Sequence, residues 1–478
     1  MANLHIDPRE QHKISPYLYM QFMEPLGVCD SSVDAAWDFV EDRWNDNLIE
    51  TVRRLAPTMV RFGGCFASYY HWREAVGPMR ERIPMINYCW GGMHANHVGT
   101  HEVVDFCHRV GAEPLMVVNM ESDGRMHWAY PQNGEDRFGT AEEAAQWVAY
   151  CNDPDHPLRR AHGVDAPYGI RYWQIGNETS YDARGYDGAA CIAATERFVR
   201  SMRAADPTLR LIGWGDKSKT DDGWCRRMSE VDGIDLIAFH HHFGSGLPDS
   251  PLHGTAYRDN AEQTWEHLMH AHRSMDTHIR KMREDCGKKR LAMTEGHFAL
   301  PGRNRCEVLS SWAAGVAYAR CHNVIMRHSD VLEIATMADF FGTVWQVNAI
   351  LIPNHVPGKQ PYLQPVGEVM RLFGSAQGKR AVDVRCDDSA IDVTASRTGD
   401  TVYLHLANTD MCAPRTLTLE GVQIADAAMR YIAARPDTEI TFDDLDCFAE
   451  QSCKIEGKTV TLPAAAVAVV ELTLDISQ

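Results

Sequence analysis

Apolar residues along this chain alternate between two rhythms. Short apolar and β-branched runs occur at Tyr17–Phe22, Met59–Gly63, Pro114–Asn119, Ile170–Ile175, Leu209–Trp214, Ile234–His240, Arg290–Thr294 and Glu333–Phe340. Each reads as a buried strand. Between them lie longer stretches with apolar residues three and four apart, as in Val103, Val104, Cys107 and Val110. That spacing predicts helices over His101–Val110, Ala141–Cys151, Ala189–Ala205, Asn260–Cys286 and Cys306–Arg327. Eight strands alternating with helices predict an α/β fold, specifically a (β/α)8 TIM barrel. A doubly wound sheet is the competitor, but no G-x-G-x-x-G follows the first strand.

The rhythm changes near Gly374. From there short strand patterns follow one another: Val382–Arg385, Ala390–Ser396, Thr401–Ala407, Arg415–Leu419, Met429–Ala433, Thr459–Leu462 and Val467–Leu474. Turn signals such as Thr398-Gly399-Asp400 separate them, so a C-terminal β-sandwich is expected. The predicted division is residues 1–15 as an N-terminal strand joining the sandwich, 16–374 as the barrel and 375–478 as the sandwich. The 478-residue length accommodates one large domain and a small one.

Charge narrows the partners. With 47 Lys and Arg against 65 Asp and Glu, the formal charge is −18. Nucleic acid and anionic membranes are therefore not expected, because phosphate binding needs clustered cations. The longest apolar stretch, Ala464–Val470, is far short of the ~20 residues a membrane helix needs. The first residues lack the basic and apolar regions of a signal peptide. The 14 cysteines form no C-x-x-C pair and read as free thiols. Together these predict a cytoplasmic protein.

In a (β/α)8 barrel the chemistry sits where the strands end. Those ends carry Glu24, Arg61 to Cys65, Asn119 to Glu121, Gly176-Asn177-Glu178, Asp216-Lys217, His240 to His242, Thr294-Glu295 and Met337 to Asp339. Glu178 ends the fourth strand and Glu295 the seventh, across the mouth from one another. Two carboxyls about 5–5.5 Å apart are what retaining glycoside hydrolysis requires, one as acid/base and one as nucleophile. An isolated glutamate after a strand is as readily a helix cap or a surface residue. The apolar run Tyr172–Ile175 leads into Gly-Asn-Glu, and this Asn-Glu pair resembles the acid/base signature of the glycosidases that share such a barrel, which implies a catalytic reading with Asn177 bonding a sugar 2-hydroxyl.

Three histidines in sequence raise the question of a metal. Strand alternation sends His240 and His242 to one face and His241 to the other, too few for a zinc site by themselves. No metal and no cofactor are expected, since both steps of a double displacement use carboxylates alone.

Several stretches in order resemble glycoside hydrolase family 51, the α-L-arabinofuranosidases: Tyr19–Gly27 (YMQFMEPLG), Arg61–Trp72 (RFGGCFASYYHW), Ala75–Pro78 (AVGP), Trp173–Glu178 (WQIGNE), Ile234–His240 (IDLIAFH) and Trp345–Asn348 (WQVN). The resemblance implies Glu178 as general acid/base and Glu295 as nucleophile. It implies that Glu24, Cys65, Asn177 and Gln346 hold furanose hydroxyls and that Trp90 forms part of the pocket wall. It also implies a homo-oligomer, often a hexamer, acting on arabinofuranosides or small oligosaccharides. Two departures stand out. The nucleophile sits in Thr294-Glu295-Gly296 rather than Asp-Glu-Trp, and His242 replaces the tyrosine that bonds the nucleophile. An imidazole there is expected to change charge near neutral pH, unlike a phenol, and to bear on substrate choice together with His240.

The expected function is thus a retaining exo-glycosidase releasing terminal α-L-arabinofuranosyl residues. The alternatives are a retaining relative acting on another sugar (a β-galactofuranosidase, xylosidase or endo-β-glucanase), a metal-dependent barrel hydrolase, and a non-catalytic carbohydrate-binding protein.

Overall fold

The computed structural model describes residues 2–121, 137–181, 187–216, 223–300, 306–353 and 359–475. Lys217, one of the expected strand-end residues, lies outside them.

The first part of the chain builds a parallel sheet whose strands neighbour one another in chain order. They are β1 (Gln21–Met23), β2 (Met59–Phe62), β3 (Glu113–Val118), β4 (Tyr172–Ile175), β5 (Arg210–Trp214), β6 (Leu236–Phe243), β7 (Arg290–Phe298) and β8 (Leu332–Ile334). The two ends of this sheet meet. Tyr17 forms a parallel bridge with Ile334, Met20 N donates to Ala335 O at 3.0 Å, and Ala335 N donates to Tyr17 O at 3.0 Å. A further strand, Asp339–Gly342, pairs in parallel with β1 through Asp339 and Phe22. The eighth expected strand is therefore two pieces, interrupted at Ala335–Ala338. Helices cover the outside, including Thr100–Val110, Ala141–Asn152, Gly188–Ala205 and Trp312–Arg327. Sandwiched between helices and interior, the strands are apolar on both faces, which is why β2 and β4 are buried throughout.

Two expected helices differ. Asn260–Cys286 is a pair, Ala261–His270 and His272–Asp285, joined at Ala271. Cys306–Arg327 opens with a 3-10 turn, Glu307–Ser310, and the α-helix begins only at Trp312. The second break has a visible cause. Trp312 N donates to Thr438 O at 2.9 Å and Ala313 N to Pro436 O at 3.0 Å, so a distant segment satisfies the N–H groups that start a helix.

The last hundred residues form an antiparallel assembly that also contains the strand Ala2–Asp7. The strand Arg380–Cys386 turns a corner in it. Its first half (Arg380 to Val382) pairs with Ile391–Thr398, and its second half (Asp383 to Cys386) pairs with Ala2–Asp7. Ala2–Asp7 also runs parallel to Arg415–Glu420. Alternate residues such as Leu4, Ile6, Val402, Leu404, Leu417, Val470 and Leu472 point into one apolar core. The strand Gln451–Lys454 and the helix Pro365–Gly374 have no counterpart in the sequence reading. Gln451–Lys454 is exposed along its length, so it carries no apolar alternation to detect.

Candidate active site

The register between β6 and β7 sets the centre of the site. Phe239 pairs with Met293, but the next pair is His240 with Glu295, so Thr294 is an extra residue in β7. This bulge re-aims the side chains that follow it. It puts Glu295 beside His240 and brings Thr294 Oγ1 to 3.0 Å from His240 Nε2. Just after β4, Gly176 (φ 74°) and Glu178 (φ 51°) both adopt left-handed backbone. A glutamate in that region is uncommon and costs of order 1–3 kcal/mol, a strain that collects at functional sites.

The bend turns Glu178 toward β6. His240 Nδ1 lies 2.8 Å from Glu178 Oε1 and 3.5 Å from Glu295 Oε2. Arg61, with no exposed surface, ties the other side together. Its Nη1 donates to Glu295 Oε1 at 2.8 Å, its Nη2 to Asn177 Oδ1 at 2.5 Å and its Nε to Gln174 Oε1 at 3.2 Å. Asn177 Nδ2 remains buried without a protein partner, a donor left for a ligand.

A second group forms the wall at β1 and β2. Trp90 Nε1 donates to Glu24 Oε1 at 2.9 Å, and the Trp90 ring packs edge-on against Trp345 at 5.4 Å. Gly64 sits against the same carboxyl. A Cβ at Gly64 would fall 2.2 Å from Glu24 Oε2, so the second glycine of the Arg61–Trp72 stretch is there to admit the carboxyl. The Cys65 thiol bonds that of Cys89, and this contact together with burial pushes it well above its ordinary range. Gln346 follows Trp345 and keeps a buried Oε1 without a partner.

A third group was missed as site residues by the sequence reading. His297 stacks obliquely on His242 with ring centres 4.4 Å apart. Its Nδ1 donates to Phe298 O at 2.6 Å, leaving Nε2 as an acceptor 3.4 Å from Asp339 Oδ1. His242 Nε2 lies 3.7 Å from Glu295 Oε2, with a third of the side chain exposed at the mouth. Asp339 had a signal, its place at a strand end. Arg61 had one too, as a charged residue inside an apolar strand. Thr294 also stood at an expected strand end, but its place as the extra residue had no signal, because a bulge leaves no mark in the sequence, and His297 had none at all.

Electrostatics follow from this crowding. Burial, then the negative charge of Glu295, hold Glu24 well above the usual carboxylate range, against the opposing pull of Trp90 and Arg61. Burial, Glu295 and Asp30 do the same to Asp339. Burial pushes His240 down to about 3. His242 is held well below its ordinary value by the enclosing protein and by His297, His240 and His241. The expectation that His242 changes charge near neutrality is therefore corrected: burial and the neighbouring imidazoles, with His297 against its ring, lower its affinity for a proton below the ordinary histidine range.

The arrangement brings Glu178, Glu295, Asn177, His240 and His242 together around one opening, with Glu24, Trp90 and Cys65 on one wall. The nearest donor atoms of Glu178, His240 and Glu295 all lie within 4.8 Å of one another. Among the described residues all the cysteines are free, and no helix is long and apolar enough to cross a membrane.

Several known proteins are similar to this chain. Residues 51–276 match the family model described as the α-L-arabinofuranosidase 1 domain. The intracellular exo-α-(1→5)-L-arabinofuranosidase of Acetivibrio thermocellus is 29% identical over 224 residues. The chain is similar to the arabinofuranosidases of glycoside hydrolase family 51. That alignment spans 44% of this chain and 41% of the relative, so the match covers less than half the length of the curated relative. Solved structures cover the rest. The arabinose complex of the Thermotoga maritima α-L-arabinofuranosidase aligns over 99% of this chain and 100% of its own, with TM-score 0.79 and 21% identity. The family 51 arabinofuranosidase of Xanthomonas axonopodis pv. citri aligns over the same shares with TM-score 0.79 and 22% identity. At these identities the structures establish a common fold.

Proposed function

We propose that this chain is a retaining exo-glycoside hydrolase that releases terminal α-L-arabinofuranosyl residues by double displacement. The supporting framework is a (β/α)8 barrel over residues 16–374. A β-sandwich over 375–478 takes in the N-terminal strand within 1–15. The observation that carries the reading is the placing of Glu178 and Glu295 around His240, with donor atoms no more than 4.8 Å apart. That separation suits a nucleophile attacking directly, whereas an inverting enzyme needs room for a water, about 6.5–9.5 Å.

Glu295 is the nucleophile. Arg61 bonds Oε1 and fixes the carboxylate in place, which leaves Oε2 to attack the anomeric carbon. Glu178 protonates the departing oxygen, then takes a proton from the water that frees the sugar. His240, held neutral, bonds Glu178 and lies close enough to Glu295 to keep both carboxyls in register. Asn177 Nδ2 serves the sugar 2-hydroxyl, a bond that tightens as the ring gains oxocarbenium character. Glu24, kept neutral, and Cys65 contact further hydroxyls, with Trp90, Gln346, His240 and His242 completing the pocket. The family model and the named relatives support arabinofuranose as the sugar.

The test is hydrolysis of 4-nitrophenyl α-L-arabinofuranoside followed by proton NMR of the first-formed sugar. Retained anomeric configuration is expected. Inversion would overturn the nucleophile assignment, and activity only on a galactofuranoside, xyloside or β-glucan would overturn the sugar.

A further inference from the structure

We propose that Glu178, His240, Glu295 and His242 form a binding site for a divalent transition cation of the zinc class, whose occupancy blocks the glutamate pair. Only the consequence for turnover rests on the glycosidase reading; the binding stands on the donor atoms alone.

Their spacing is the first argument. Zinc holds nitrogen and oxygen donors at about 2.0–2.2 Å, so adjacent donors of a tetrahedron lie roughly 3.3–3.5 Å apart. Here His240 Nδ1 is 2.8 Å from Glu178 Oε1 and 3.5 Å from Glu295 Oε2, while His242 Nε2 is 3.7 Å from Glu295 Oε2. Glu178, His240 and Glu295 already bring one donor atom each within 4.8 Å of the others, and His242 joins them only by turning in from the Glu295 side. His240 and His242 stand two residues apart on one strand, so both rings face the same opening. Glu295 comes from the neighbouring strand β7 and Glu178 from the turn that follows β4.

Orientation is the second argument. Metal-bound imidazoles direct their other nitrogen to a fixed partner. His240 has one in Thr294 Oγ1, 3.0 Å from Nε2, and with its proton there Nδ1 faces the carboxylates as a lone pair. Arg61 occupies Glu295 Oε1 and leaves Oε2 free. The exposed third of His242 gives the cation a path from solvent.

Donor chemistry then selects the ion. Two imidazoles and two carboxylates suit zinc, cobalt and copper, whereas magnesium and calcium prefer oxygen alone. A phenol at position 242 would remove one of the two nitrogens, so the site depends on this chain's own departure from the tyrosine pattern.

The experiment is calorimetric titration of the chelator-treated full chain with zinc chloride at pH 7.5, repeated with cobalt chloride while the visible spectrum is recorded. One equivalent is expected to bind saturably, with cobalt giving the intense bands of a low-coordinate site. His242→Phe and Glu178→Gln are each expected to weaken zinc by roughly tenfold or more while circular dichroism stays that of the parent. Absence of a saturable equivalent would overturn the site. So would binding that both variants leave intact but Cys65→Ser with Cys89→Ser abolishes, since the cation would then be on the thiols. Zinc bound as expected by a chain that hydrolyses no glycoside would sink the functional reading and leave the metal site standing. Hydrolysis without zinc binding would do the reverse.

Discussion

Arg61 Nη1 donates to Glu295 Oε1 at 2.8 Å from a guanidinium with no exposed surface, and the same side chain reaches Asn177 and Gln174. One cation thereby links β2, β4 and the end of β7. Replacing it by Met leaves Glu295 buried without its counter-charge and two amides without a donor. A loss of about 3–5 kcal/mol in unfolding free energy is expected, from urea titrations, with turnover falling by orders of magnitude. A variant as stable as the parent would show that the ion pair is dispensable to the fold.

Glu178→Ala and Glu295→Ala are each expected to reduce turnover by several orders of magnitude. Azide is expected to rescue only Glu178→Ala on an activated aryl arabinofuranoside, giving a glycosyl azide of retained configuration. Rescue of Glu295→Ala with retention instead would exchange the two assignments.

Glu24 behaves as a neutral acid because burial and Glu295 keep its proton on. Glu24→Gln preserves the acceptor for Trp90 and a donor toward substrate. It is expected to keep turnover within about tenfold of the parent, while Glu24→Ala loses substantially more. Equal losses in both variants, measured as kcat/KM at pH 7, would mean that a charged carboxylate is needed.

Gly64→Ala tests the close approach at the same wall. The added Cβ would stand 2.2 Å from Glu24 Oε2, and φ of 148° disfavours any side chain there. A rise in KM is expected with a lowered melting temperature, and an unchanged KM would place Glu24 outside substrate contact.

The buried histidines set the response to acid. His94, His97, His272 and His405 are pushed down to about 4, and His240, His241 and His322 to about 3, in each case chiefly by burial. Below an ordinary histidine value of 6.5 the unfolded chain takes up protons that the folded chain does not. Stability therefore falls as pH drops from about 6.5 toward 4, the sign that linkage gives when the unfolded state binds more protons. Asp34, raised to about 6, and the buried Glu24 and Asp339, raised well above the usual carboxylate range, work in the opposite direction but are outnumbered by the seven histidines. Urea midpoints at pH 7, 6 and 5 are expected to decline steadily. A flat series would mean that these imidazoles are not held neutral.

The two periodicities were readable because burial is periodic. Strands enclosed on both faces become continuous apolar runs, and helices packed on one face repeat every three or four residues. Hence the strand starts Met59, Arg290, Thr401, Thr459 and Val467 agree between sequence pattern and structure. The break at Trp312 was not readable, since its cause lies at Pro436 and Thr438, more than a hundred residues away. Nor was Gln451–Lys454, which buries nothing.

The sequence by itself determined which residues lie toward the C-terminal ends of the strands, although β6 and β7 run on to Phe243 and Phe298, and so that Glu178, Glu295, Asn177 and His240 come to one mouth. Strand direction and order dictate that much. Tertiary structure alone decided their relations: the extra residue at Thr294, the left-handed turn at Glu178, Arg61 drawn to Glu295, and His297 and Asp339 beside His242. Each depends on distances between strands far apart in the chain. The charge states of Glu24, Asp339 and His242 depend on them too, because burial and neighbouring charges set a proton's affinity and neither is written at a single position.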